Sequence, residues 1–303
     1  MTQFREEPRS EIGAKALVFV HVPKTAGSTL SWIIQRHYPA DRTIIIQPEE
    51  MLRKYQGFQA LSVDARRRLL CLAGHVPFGV HRWLPQGARY ITMLRDPVEW
   101  TLSFHSFVQR MPFFDQDPDL AAFRGARSLD LDGFVDFLIR SNMVDMQTRH
   151  ISGQMGLPNF LPPYEPMTND ALDCANRNLR ANFECVGVVE RFDESLLLMK
   201  RKLGWRNIYY QRLNVSEGRV RRTELPQATL NRILECQCRD VELYDEARRL
   251  LSAEILAAGN GFQTELRRFQ RNNAIYNKLI PIYEASGLSR VRHALRRGLE
   301  AVR

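Results

Sequence analysis

No uninterrupted apolar run in the 303 residues reaches the ~20 that a bilayer-crossing helix needs. The first fifteen residues hold no apolar core of a leader peptide, so no secretory signal is expected there. Cysteine is scarce and scattered: Cys71, Cys174, Cys185, Cys236 and Cys238 are odd in number and form no C-x-x-C pair. That usage excludes a disulfide framework and reads as buried thiols in a reducing compartment, so a cytoplasmic location is expected. No acidic pair and no His/Cys cluster has the spacing of a metal site, and no metal requirement is expected. Internal repeats and low-complexity tracts are missing as well.

What is present is an ordinary soluble composition, 44% hydrophobic and 25% charged, with enough apolar material for one large domain or two modest ones. The net charge of +9 is unevenly placed. Residues 266–303 carry +7 of it, and the first 265 residues are nearly balanced at +2. An excess confined to one end argues against a nucleic-acid partner. Within that end Leu288, Val291, Leu295, Leu299 and Val302 recur at helical steps between Arg290, Arg292, Arg296 and Arg297. Such a basic amphipathic helix lies on an anionic membrane (here, peripherally at its inner face), on a partner, or on its own domain. The oligomeric state is not readable from these patterns.

Ala16–Val22 is a short β-branched run, a buried strand by length and composition. It stops at Pro23, and a glycine-containing turn leads into a helix over Ser28–His37. Further strands are read at Thr43–Gln47, Leu69–Ala73, Arg89–Leu94 and Phe183–Val189, with helices from Arg95-Asp96-Pro97 to about Gln109 and over Asp193–Leu203. Strands alternating with helices imply an α/β fold with a mostly parallel sheet. The proline-bearing stretches 111–127 and 153–166 read as insertions that shape a substrate pocket, where Phe113, Phe114, Phe160 and Tyr164 either stack on sugar rings or bury the loops.

In open α/β sheets ligands bind beyond the carboxyl ends of the strands. Three strand ends carry chemistry. Pro23-Lys24-Thr25-Ala26-Gly27-Ser28-Thr29 combines small residues, hydroxyls, a lysine and a helix start, the requirements for cradling a phosphate or sulfate. It is not a Walker A loop, because its lysine precedes the glycine. Arg95 at a strand end and Ser103 two helical turns later can face one phosphate. Gly74-His75 supplies a side chain suited to general-base work near neutrality.

Taken in order, HVPKTAGSTL (21–30), GHVPFG (74–79), ITMLRDPVEWTLSFHSFV (91–108), NMVDMQTRHISG (142–153) and VGVVERFDESLLLMKRKLG (187–204) resemble the P-loop-like sulfotransferases. The resemblance is to the branch of heparan and chondroitin uronyl 2-O-sulfotransferases and their bacterial relatives, and it covers roughly residues 15–255. It implies a P-loop-NTPase-like three-layer fold and sulfuryl transfer from PAPS (3′-phosphoadenosine 5′-phosphosulfate), leaving PAP. Lys24, Thr25, Ala26, Gly27, Ser28 and Thr29 would hold the 5′-phosphosulfate, with Lys24 also on the leaving oxygen. Arg95 and Ser103 would hold the 3′-phosphate, Arg222 and Thr223 in the segment 218–223 would close over the nucleotide, and His75 would take the acceptor's proton. Gln147 and Arg149 are candidates for the acceptor side, or Arg149 for a structural ion pair.

The heparan enzymes have His-Gly-His where this chain has Ala73-Gly74-His75, so a partner for His75 must come from elsewhere; His81 and His105 are candidates. The animal enzymes' anchor and lumenal disulfides do not show here, so a bacterial protein is expected. The domain reading is a tail at 1–15, a sulfotransferase domain at 16–258 and a basic helical C-terminal extension at 259–303. The acceptor is expected to be a saccharide or other cell-surface-destined hydroxyl compound. The rival readings are an ATP-dependent kinase on the same anion loop and a non-catalytic nucleotide- or membrane-binding protein.

Overall fold

A computed structural model describes residues 15–47, 51–110, 123–155, 164–211 and 220–285. The basic stripe at 287–303, the aromatics Phe113, Phe114 and Phe160, and residues 218–219 of the expected closing segment lie outside these. The chain opens with β1 (Ala16–Val20) and α1 (Gly27–Gln35), followed by β2 (Thr43–Ile46), α2 (Met51–Ala60), α3 (Val63–Arg67) and β3 (Cys71–Gly74). Then come β4 (Ala88–Leu94), α4 (Pro97–Arg110), α5 (Leu131–Arg140), α6 (Met146–Ser152), α7 (Ala171–Ala181), β5 (Phe183–Val188) and α8 (Phe192–Leu203). The helices α9 (Gln227–Cys236), α10 (Cys238–Ala257) and α11 (Gly261–Ala285) end the described chain. The five strands and the three helices expected from sequence are all present, within a few residues of the expected bounds.

Every pairing is parallel and the strand order is β2-β3-β1-β4-β5. All five residues of β1 and all four of β3 are buried. Since successive side chains point to opposite faces, burial of both sets means the sheet is covered on both sides. Helix, sheet, helix is therefore the layering, as expected. Leu30, Ile33 and Ile34 are the buried stripe of α1. On α11, Phe262, Leu266 and Phe269 join the same core, and Lys200 and Arg201 of α8 both pair with Glu265. A smaller apolar cluster of Val98, Leu102, Val135 and Ile233 ties α4 to α5 and α9.

The order of the sheet places the site. β1 is central, flanked by β3 and β4, so the three strand ends carrying Lys24, His75 and Arg95 are neighbours. Among the described residues no helix is long and apolar enough to cross a membrane. Four of the cysteines lie off any partner sulfur in half-buried or buried positions and Cys238 is exposed; all five are free thiols.

Candidate functional site

The loop after β1 is wound tightly. Lys24 (φ 65°) and Ala26 (φ 61°) both occupy the left-handed region, which costs a non-glycine residue roughly 1–2 kcal/mol. Four contacts hold that conformation. The indole Nε1 of buried Trp100 donates to the Pro23 carbonyl at 2.8 Å, and Arg95 Nη1 donates to the Lys24 carbonyl at 3.0 Å. Thr25 Oγ1 donates to the Val22 carbonyl at 2.8 Å. The Lys24 ammonium rests over the Phe107 ring, 4.1 Å from its centroid. Ala26 caps α1 without a side-chain hydrogen bond, so the first-turn N–H groups are not satisfied by a cap. Ser28 is exposed and Thr29 half-buried on that turn. Lys24 and Ala26 thus lead directly into the first turn of α1 at Gly27, Ser28 and Thr29; the Thr25 hydroxyl, fully buried, braces the turn from inside instead.

His75 follows β3 through Gly74 at φ 118°. A Cβ at Gly74 would meet the Ile46 carbonyl oxygen at 2.1 Å, so only glycine fits. The register pairs Val20 with Gly74, and the next residues along, His21 and His75, lie side by side with ring centroids 4.4 Å apart. Gly27 is required for a related reason: a Cβ there would come within 1.8 Å of His21 Nε2. Burial pushes His75 well below its ordinary value, helped by His21, His150 and Lys24 nearby. His21 is pushed down to about 3 and His150 to about 4, in both cases chiefly by burial. The imidazole beside His75 is therefore that of His21, with His150 near enough to act on its charge. His81, which bonds the Tyr90 hydroxyl, and His105, which bonds the Leu129 carbonyl, are engaged elsewhere.

Arg95 leaves β4 toward the same loop. Its guanidinium reaches the Lys24 carbonyl and lies 3.7 Å from Glu99. Ser103, buried, and Phe107 follow Glu99 at four-residue steps on α4, so one face of that helix borders the lysine loop. Arg222 pairs with Asp96 at 2.8 Å, and its short turn, which includes Thr223, packs on α4. Lys24, His75, Arg95, Ser103 and Arg222 are thus drawn to one end of the sheet from positions far apart in sequence.

Gln147 and Arg149 have other surroundings. Gln147 bonds the backbone of Arg95 with both atoms of its amide. The buried Arg149 guanidinium donates to the carbonyls of Gln154, Glu165 and Asn142 and faces the Tyr164 ring. These are partners within the fold, not an opening toward an acceptor, and Tyr164 is itself buried. No ion pair is needed to explain Arg149. Sequence reasoning missed His21 and His150. The signal for His21 was its place at the end of the first strand, three residues before the lysine.

A family profile, Galactose-3-O-sulfotransferase, matches residues 5–280, nearly the whole chain. The chain belongs to the galactose-3-O-sulfotransferase family. It is 27% identical over 257 residues to galactose-3-O-sulfotransferase 3 of Bos taurus, covering 80% of this chain and 58% of that protein. It is 28% identical over 225 residues to the galactosylceramide sulfotransferase of Homo sapiens, covering 65% of this chain and 48% of that one. The chain thus spans about half to three fifths of the length of these curated relatives. Among solved structures, mouse sulfotransferase SULT7A1 complexed with PAP aligns with a TM-score of 0.32 at 14% identity, over 80% of this chain and 89% of that one. The match falls in the galactose 3-O group, and nothing in it singles out the uronyl 2-O branch that the motifs resemble. The relatives named are mammalian and lend no support to a bacterial origin.

Proposed function

We propose that this chain transfers a sulfuryl group from PAPS to a hydroxyl of a galactose-containing saccharide or glycolipid. The observation that carries the reading is the convergence of Lys24, His75 and Arg95 on three adjacent parallel strand ends, β1, β3 and β4. A lysine-bearing loop whose backbone is held by Arg95 and which leads into a helix start without a side-chain cap suits a donor bearing phosphate at one end and phosphosulfate at the other. The family supports the reaction class, and the names of its members support the acceptor class.

In this reading the acceptor oxygen forms a bond to sulfur as the bond from sulfur to the 5′-phosphate oxygen breaks. The acceptor's proton passes to a neutral His75 nitrogen, and the electron pair stays on the departing phosphate oxygen, whose charge Lys24 balances. Burial keeps His75 uncharged in the free protein, which leaves its lone pair available. An anionic donor bound beside Lys24 raises the proton affinity of that imidazole, so a stronger base is assembled only with donor in place. Arg95, Ser103 and Arg222 bind the 3′-phosphate side, and no step calls on a metal ion.

The test combines binding and turnover. Calorimetry with PAP and with ATP and magnesium, followed by transfer of labelled sulfate from PAPS to β-galactosides, should show PAP binding and sulfated galactoside. Binding of ATP and magnesium without PAP would overturn the reading in favour of a kinase. His75→Ala is expected to keep PAP affinity and lose ~100-fold or more of the transfer rate.

A further inference from the structure

Residue Arg95 stands one position beyond the end of β4, where the ladder no longer supplies partners for the main chain. Gln147 supplies them. Its Oε1 accepts from the Arg95 N–H at 2.8 Å and its Nε2 donates to the Arg95 carbonyl at 2.9 Å, across 52 residues of sequence. The amide behaves as one more residue of a neighbouring strand, and it is buried. It is also held from behind. The Gln147 and Thr148 N–H groups donate to the two carboxylate oxygens of Asp240, at 3.0 and 2.7 Å, and the Thr148 hydroxyl adds a third bond at 2.8 Å. Asp240 N–H donates in turn to Asp145 at 3.0 Å, and the Asp145 N–H to Gln237 at 2.7 Å. A continuous buried chain of hydrogen bonds therefore runs from α10 through the start of α6 to the backbone of Arg95. From Arg95 it continues through Nη1 to the carbonyl of Lys24.

We infer that Gln147 is a positioning residue for anion recognition, fixing the main chain of Arg95 so that its guanidinium meets the 3′-phosphate of the donor while bracing the Lys24 loop. The inference rests on the function proposed above and assigns a task to a side chain that the sequence placed on the acceptor side. A guanidinium on a long side chain recognises phosphate well only when its root is fixed, since each freely turning bond dilutes the productive geometry. Two bonds to one residue's N–H and C=O fix that root without touching the ligand.

The experiment measures affinity for PAP and for 5′-AMP, which lacks the 3′-phosphate, in the wild type and in Gln147→Met, a side chain of similar length without hydrogen-bonding capacity. The same substitution is made in an Arg95→Ala background, and thermal unfolding is followed throughout. Gln147→Met is expected to lose about tenfold in PAP affinity, the scale of one or two hydrogen bonds, and less than about twofold for AMP. In the Arg95→Ala background it should cost less than about twofold for either nucleotide, because its effect passes through Arg95. Gln147→Glu, which offers the Arg95 carbonyl an oxygen in place of a donor, serves if the methionine variant does not fold, and should lose at least as much PAP affinity. Retained preference for PAP in both variants would overturn the inference, as would equal losses for PAP and AMP or a full tenfold loss without Arg95. A wild type with no preference for PAP over AMP would instead overturn the functional reading beneath it.

Discussion

The rings of His21 and His75 lie 4.4 Å apart between centroids, and the edge of His21 fills the space in which a side chain at Gly27 would begin. One imidazole thus touches both the proposed base and the first residue of the helix proposed to bind the anion. Its place follows from register: β1 and β3 pair in parallel up to Val20 and Gly74, and the next residue on each strand is a histidine.

Gly27→Ala is predicted to destabilise the protein by about 1–3 kcal/mol, the range for overpacking a filled interior. The inserted methyl would come 1.8 Å from His21 Nε2, and the ring is hemmed in by Phe19 on one side and His75 on the other. His21→Ala added to Gly27→Ala should recover part of the loss. Urea titration of the single and double variants checks this, and a Gly27→Ala protein as stable as the wild type would mean that His21 is not lodged there.

Acid should weaken the fold through the same cluster. His21 and His150 titrate in the folded chain at about 3 and about 4, against an ordinary value near 6.5 when unfolded. Between those values the unfolded chain holds more protons than the folded one, so stability is complete above ~6.5 and is lost as pH falls toward the folded values. Each such histidine contributes a slope of up to about 1.4 kcal/mol per pH unit in that window. The urea midpoint should therefore fall between pH 7 and pH 5, and His150→Gln, which does not titrate, should flatten the slope.

Much of this architecture is legible in the sequence because it is local. The strand runs, the turn at Pro23–Gly27 and the helix after Pro97 are each encoded within a dozen neighbouring residues, and Lys24, His75 and Arg95 were marked by standing at strand ends. What escaped is non-local. The amide of Gln147 gives no sign that its partner is the main chain of Arg95, and Asp240 bonds α6 from 92 residues away. Arg149 beside Gln147 looked exposed to ligand because an arginine in a short polar motif carries no record of the carbonyls that fold around it. His81 and His105, the candidates for a partner to His75, are engaged by Tyr90 and Leu129, whereas the neighbouring strand end supplies His21.

Phe107 should matter to the lysine loop without contacting substrate chemistry. Its ring lies under the Lys24 ammonium at 4.1 Å, a cation–π contact of about 0.5–2 kcal/mol in partly desolvated surroundings. Phe107→Leu keeps an apolar surface but removes the ring's negative face. It is expected to raise the donor KM by roughly 2- to 30-fold, which is that energy range expressed as affinity, with kcat changed less. Steady-state kinetics with PAPS varied at saturating acceptor reads this directly, and an unchanged donor KM would remove Phe107 from the account.

Arg149 provides the sharpest contrast between holding a fold and binding a substrate. Its guanidinium donates to three backbone carbonyls, Gln154 at 3.1 Å, Glu165 at 2.9 Å and Asn142 at 3.2 Å, and burial pushes its proton affinity down. Truncation to alanine leaves those oxygens without their donor in a buried position, at about 1–3 kcal/mol each where water does not replace it. Arg149→Ala is therefore predicted to lose at least about 3 kcal/mol of stability. Arg149→Lys should recover only part of it, since a single ammonium cannot span the fork of positions that a planar guanidinium reaches. Neither change should raise the acceptor KM selectively in the protein that remains folded. Thermal unfolding alongside acceptor kinetics separates the two roles: a raised acceptor KM at unchanged stability would return Arg149 to the substrate side, and a lowered midpoint with normal acceptor KM keeps it in the scaffold.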